Sequence, residues 1–167
     1  KAELGWWTEP SNLSVGMTFP TPPFTHVLTT DASLTGWGGH LQERRVAGTW
    51  SPSEMTFHIN LLELLAVEKS LREFQQELMG RNIVVQSDNS TVVAYINRQG
   101  GTRSPTLCMH TRRLLGWCMH KGMSLKAVHI PGITNILADH LSRGRTPTEW
   151  SLAPQIVQTI FAKTFYP

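Results

Sequence analysis

A change of hydrophobic period near residue 59 limits what this chain can become. Between Ile59 and Met79, Leu64, Val67, Leu71, Phe74 and Leu78 recur at alternating three- and four-residue steps, the repeat of one buried helix face. The stretch before it reads as strands. His26–Thr30 (HVLTT) is β-prone, the GWGG run at Gly36–Gly39 opens a second extended segment, and a third follows around Val46–Trp50 after the polar Gln42–Arg45 turn. Gly80 is a natural helix stop, and Ile83-Val84-Val85 then reads as a buried strand. Ser87-Asp88-Asn89 supplies cap residues for a helix to about Ile96, which Gly100-Gly101 closes. A helix over Pro105–Lys121, a strand over Leu125–Ile130 and a short helix from Thr134 to about Ser142 complete the pattern. Three β segments followed by strand–helix alternation predict an α/β fold with a mixed sheet and helices on its faces.

The 167 residues suffice for one domain with a real core. We expect a lead-in over 1–25, broken by Pro20, Pro22 and Pro23, a main domain over 26–145, and a C-terminal flank over 146–167 with a helix near Ser151–Lys163. Trp6, Trp7 and Trp150 in the flanks are expected to pack on the domain, because they are costly to leave in water. The Lys1 start, without Met, leads us to expect a segment of a longer polypeptide. No apolar run approaches the ~20 residues of a membrane helix, and no secretory pattern is visible, so an intracellular, non-secreted protein is expected. Cys108 and Cys118 make neither a disulfide framework nor a thiolate metal site. Fifteen Lys plus Arg against twelve Asp plus Glu give +3, which suits a polyanionic partner or simply a solvated surface.

The acids are more informative than the net charge. Asp31 ends a β-prone run, either as a turn residue or as a carboxylate held at the sheet for metal chemistry. Glu63 falls roughly 50° from the centre of the Leu64–Leu78 stripe, whereas Glu73 falls about 130° away. A glutamate on the core side implies a metal ion or an ion-pair partner. Asp88 follows a strand and opens a helix, which suits an N-cap and equally a site at the carboxyl edge of an α/β sheet. Asp139, away from the Leu137–Leu141 stripe, taken singly is a plain surface acid. Should these four converge, they could not stay ionised without cations, and Mg²⁺ answers that need. Two such ions about 4 Å apart are the apparatus of phosphodiester cleavage.

Four segments carry a likeness to a known family: TTDASLTGWGGHL (Thr29–Leu41), NLLELLAV (Asn60–Val67), VVQSDNSTVVAYINRQGG (Val84–Gly101) and AVHIPGITNILADHLSR (Ala127–Arg143). In order and spacing the chain resembles the ribonuclease H family as carried by retroelement reverse transcriptases, its wording nearest to DIRS-type and gypsy-type retrotransposons. The resemblance implies a ribonuclease H-like fold, a five-stranded mixed sheet flanked by helices. It also implies a metal-dependent endonuclease that hydrolyses the RNA strand of RNA–DNA hybrids, with two Mg²⁺ ions (Mn²⁺ able to stand in) and an attached polymerase domain as partner. The family's acids fall on Asp31, Glu63, Asp88 and Asp139. Its auxiliary histidine has a counterpart in His129, ten residues before Asp139, which reads either as that residue or as a packed strand-end histidine. Packing is preferred, since Pro131 restricts the backbone.

For substrate contact, Asn89, Ser90 and Thr91 offer polar groups at a helix start that suit a phosphate or a cap. Asn97, Arg98 and Gln99 end that helix, within reach of a minor groove where a 2′-hydroxyl marks RNA, or as plain helix termination. Trp37, between glycines, is expected in the core. Two other classes stay open: a DNA-directed nuclease or integrase-like phosphotransferase on the same fold, and a non-catalytic nucleic-acid-binding scaffold.

Overall fold

The computed structural model describes residues 8–13 and 23–144; the expected flank contacts of Trp6, Trp7 and Trp150 and the Ser151–Lys163 helix lie outside these. A helical turn at Pro10–Leu13 precedes the domain. Strands β1 (His26–Ala32), β2 (Gly36–Leu41) and β3 (Arg44–Thr49) form an antiparallel meander. Its second turn takes only Gln42 and Glu43, with Gln42 at φ 53, so Arg44 and Arg45 belong to β3 and not to the turn expected there. Strands β4 (Asn82–Ser87) and β5 (Ser124–His129) add in parallel, giving the order β3-β2-β1-β4-β5. The five-stranded mixed sheet expected from the sequence is therefore present.

Helix α1 (Ile59–Glu73) lies against β1 and β2, with Leu62, Ala66, Val67 and Leu71 fully buried. Each such leucine removed from water contributes roughly 1.5–3 kcal/mol. The expected single helix to Met79 divides at Phe74, and α2 (Gln75–Leu78) continues from it. Phe74 and Leu78 stay buried, and the Leu78 N–H still bonds to the Phe74 carbonyl at 3.1 Å, so the apolar stripe survives the break. Gly80 then ends the segment at φ +71, a conformation that disfavours a side chain.

Helix α3 (Ser90–Asn97) packs on the outer strand β5, and α4 (Pro105–His120) packs on α1 and α3. The Asn97 carboxamide donates to the Ala127 carbonyl and accepts from the Ala127 N–H, both at 2.8 Å, so it satisfies part of an otherwise open strand edge. The last helix, α5 (Ile136–Ser142), begins after a 3₁₀ turn at Gly132–Thr134 and crosses β2 and β1. Glycines permit that crossing: a Cβ at Gly38 would lie 2.7 Å from the Ser142 nitrogen, and one at Gly36 would lie 2.8 Å from the Ser142 carbonyl oxygen. Trp37 is buried as expected and covers Gly48 on the neighbouring strand.

Candidate metal centre

Two helix starts are joined at the carboxyl edge of the parallel strands. His58 caps α1 by accepting from the Asn60 N–H at 3.1 Å, and Asn89 caps α3 by accepting from the N–H groups of Thr91 and Val92. The caps are tied together, because the Asn89 carboxamide donates to Asn60 Oδ1 at 2.9 Å. Glu63, one turn into α1, is thereby fixed relative to Asp88, the residue before the Asn89 cap. Asp31 comes from inside β1 rather than from a turn after it. One carboxylate oxygen from each of Asp31, Glu63 and Asp88 lies within 4.8 Å of the others.

Burial and crowding mark these groups electrostatically. Asp31 and Glu63 are each 5% exposed. Desolvation, reinforced by the charges of Asp31 and Asp88, pushes Glu63 up to about 9, with a backbone hydrogen bond from Ala32 opposing. Desolvation also pushes Asp31 up to about 6, against the Ser142 hydroxyl and with Asp88 and Asp139 adding repulsion. Glu63 Oε2 is buried with no hydrogen-bond partner. Three carboxylates with an oxygen each within 4.8 Å, one of them carrying an orphaned buried oxygen, make the donor set of a hard divalent cation, and the three residues fit one.

The fourth acid stands apart. Asp139 is not part of the trio; its Oδ1 accepts from Arg143 Nε at 2.6 Å, one helical turn along α5. It acts on Asp31 through its charge. Four carboxylates were expected to converge; the structure gathers three and holds the fourth beside them on an arginine.

Residues without a sequence signature complete the site. Ser142, 1% exposed, donates to Asp31 Oδ2 at 2.5 Å, a length typical of a hydroxyl–carboxylate bond. Asn135, also 1% exposed, donates to Asp31 Oδ1 at 3.3 Å and to the Thr30 carbonyl at 3.2 Å. A Cβ at Gly132 would sit 3.1 Å from Asp88 Oδ2, so the loop passes closely over that carboxylate. Only the small side chains within the ITNILADHLS wording hinted at them.

His129 is exposed, which corrects the packed reading of it; its Nε2 lies 3.0 Å from the Asp88 carbonyl oxygen. Pro131 does follow closely, but the ring is solvent-exposed and touches the backbone of Asp88. Ser90, Thr91, Arg98 and Gln99 line one groove of about 760 Å³ together with Thr102 and Arg103. Asn97 does not line it, its carboxamide being committed to Ala127. Asn89 likewise spends its carboxamide on capping and on Asn60.

With this geometry in view, comparison with known proteins is decisive on family. Residues 21–120 match the RNase H-like domain found in reverse transcriptase. The chain belongs to that family. This RNase H-like domain is 29% identical over 136 residues to the enzymatic polyprotein of Figwort mosaic virus, covering 74% of the chain and 20% of the polyprotein. It is 29% identical over 135 residues to the genome polyprotein of Petunia vein clearing virus, covering 75% of the chain and 6% of that protein. The chain thus spans a fifth or less of these relatives. Both are viral polyproteins, so they do not carry the finer likeness to DIRS-type or gypsy-type elements. Among solved structures, the RNase H-like domain resembles LC11-RNase H1 in complex with RNA/DNA hybrid, with TM-score 0.61 at 19% identity, covering 72% of the chain and 96% of that protein. It also resembles the foamy viral protease-reverse transcriptase in complex with RNA/DNA hybrid, with TM-score 0.52 at 14% identity over 85% of the chain and 24% of that protein. At such identities these two support the fold. Among the described residues, no helix is long and apolar enough to cross a membrane.

Proposed function

We propose that this RNase H-like domain is a divalent-metal-dependent endonuclease that cleaves the RNA strand of RNA–DNA hybrids, within an intracellular polypeptide that also carries a reverse transcriptase polymerase domain. The trio carries this reading: Asp31, Glu63 and Asp88 offer oxygens within 4.8 Å of one another at the carboxyl ends of β1 and β4. Their all-oxygen donor set suits Mg²⁺, with Mn²⁺ able to replace it. Asp31, Glu63, Asp88 and Asp139 would hold two ions, which when bound supply an activated water and neutralise charge on the phosphate.

The protein's own groups do the rest. Ser142 and Asn135 orient the Asp31 carboxylate. Arg143 restrains Asp139 beside the trio. Burial keeps Asp31 and Glu63 largely out of solvent, so their attraction to a cation, once it displaces the Glu63 proton, would act with little screening. The groove of Ser90, Thr91, Arg98 and Gln99 offers hydroxyl, amide and guanidinium donors to a nucleic-acid backbone and to the 2′-hydroxyls that mark RNA. His129, at the site edge, is an auxiliary group.

One labelled sequence, offered as RNA–DNA hybrid, duplex DNA and duplex RNA with Mg²⁺, tests the proposal. Cutting of the RNA strand in the hybrid, abolished by EDTA, is the expected result. Cleavage of duplex DNA in its place would transfer the assignment to a DNA-directed nuclease. Binding of all three without cleavage would make the domain a scaffold.

A further inference from the structure

We propose that Ser142 is a positioning residue for Asp31, brought into range by the glycine-mediated docking of α5 on β2. The inference rests on the reading of Asp31 as a metal ligand. A serine side chain is short, and it can reach a carboxylate on β1 only if the helix backbone nearly touches the sheet. Gly36 and Gly38 provide that approach, since a Cβ at either would meet Ser142 backbone atoms within 2.8 Å. Ser33 then fastens the helix end, its hydroxyl donating to the Ser142 carbonyl at 2.7 Å.

The result is a carboxylate held at both oxygens. Asp31 Oδ2 accepts from Ser142 and Oδ1 from Asn135, residues at opposite ends of α5. Ser142 Oγ also lies 2.9 Å from the Asp139 carbonyl, but its single proton favours the shorter, charged contact. Fixing a ligating carboxylate before the ion arrives removes an ordering cost from binding, and loss of such an outer partner typically weakens metal affinity 10–100-fold.

Calorimetric titration with Mn²⁺, without nucleic acid, compares the parent with Ser142→Ala, Ser142→Thr, Ser142→Cys and Asp31→Asn, alongside melting in EDTA and the Mg²⁺ requirement for hybrid cleavage. Ser142→Ala is expected to weaken Mn²⁺ binding about tenfold and to raise the Mg²⁺ requirement in step, with hybrid KM at saturating metal unchanged. Ser142→Thr, which keeps the hydroxyl, should recover binding to within about threefold of the parent. Should Ser142→Ala not fold by circular dichroism, the similarly sized Ser142→Cys, a poor donor, takes its place. Parental affinity in a folded variant lacking the hydroxyl, or equal losses in the alanine and threonine variants, would overturn the inference. Asp31→Asn separates the two levels: if it binds Mn²⁺ like the parent, the metal-site reading itself fails. If it alone loses binding, only the role of Ser142 fails.

Discussion

Glu63 shows how much a single residue can disclose. It has an unpartnered oxygen in a position 5% exposed, on a helix whose other buried residues are almost all apolar. A carboxyl so placed holds its proton unless a cation offsets the charge, which marks it as a group kept for what it binds. Neutralising part of the cluster should therefore remove function and relieve strain together. Asp31→Asn and Asp88→Asn are each expected to abolish Mg²⁺-dependent cleavage of a hybrid while leaving circular dichroism unchanged. In EDTA both should melt no lower than the parent, because repulsion falls; a markedly lower Tm would reveal structural ion pairs instead. His129 gives a different expectation. Since its ring is exposed, His129→Ala should change stability by no more than about 0.5 kcal/mol. It should nevertheless lower turnover several-fold, because the ring contacts the backbone of Asp88. Turnover and Tm measured on the same preparation check both statements.

At the scale of elements, the readable and the unreadable differ in kind. The α1 stripe, the cap region at Asn89 and the succession of strands and helices along the chain were legible because periodicity and capping are local. Glu63 stood out because a glutamate on a core-facing stripe is odd for its place, whereas Asp31 and Asp88 each had an ordinary reading and gained weight from the four-segment resemblance. Ser142 was not legible, because a serine in a short helix carries no mark of the strand it will touch. Asp139 was read as a plain surface acid taken singly and as able to converge with the other three, and neither reading anticipated its pairing with Arg143 one turn along. The Asn97 bonds to Ala127 were likewise hidden, since a helix-ending asparagine looks the same whether or not it reaches a strand. Asn97→Ala removes both bonds, each with a net worth of about 0.5–1.5 kcal/mol, so we expect a loss of about 1–3 kcal/mol in urea unfolding. Faster amide exchange at Ala127 should accompany it. Gly38→Ala has no room beside Leu141 and Ser142, and it should lower both Tm and cleavage by forcing α5 away from the sheet.

For the molecule as a whole, the buried acids set the response to pH. The folded-state pKa values of Asp31, about 6, and Glu63, about 9, lie above the ordinary 3.8 and 4.5. Through these two groups the folded protein binds more protons than the unfolded chain between about pH 4 and 9, so their contribution to stability falls as pH rises through that window, while His40, which burial holds below its usual range, opposes it near neutrality. Melting in EDTA should show a declining Tm from pH 5 to pH 8, and Mg²⁺ should restore more at pH 8 than at pH 5. A flat profile in EDTA would contradict the burial of these groups. The contact between Ser142 and Asp31 spans 111 positions of sequence. During synthesis, the strand that carries Asp31 is made well before the hydroxyl that steadies it. A half-folded domain can therefore assemble its meander and first helix while Asp31 still lacks the hydroxyl that steadies it, so the ordering of this carboxylate waits on the docking of the last helix.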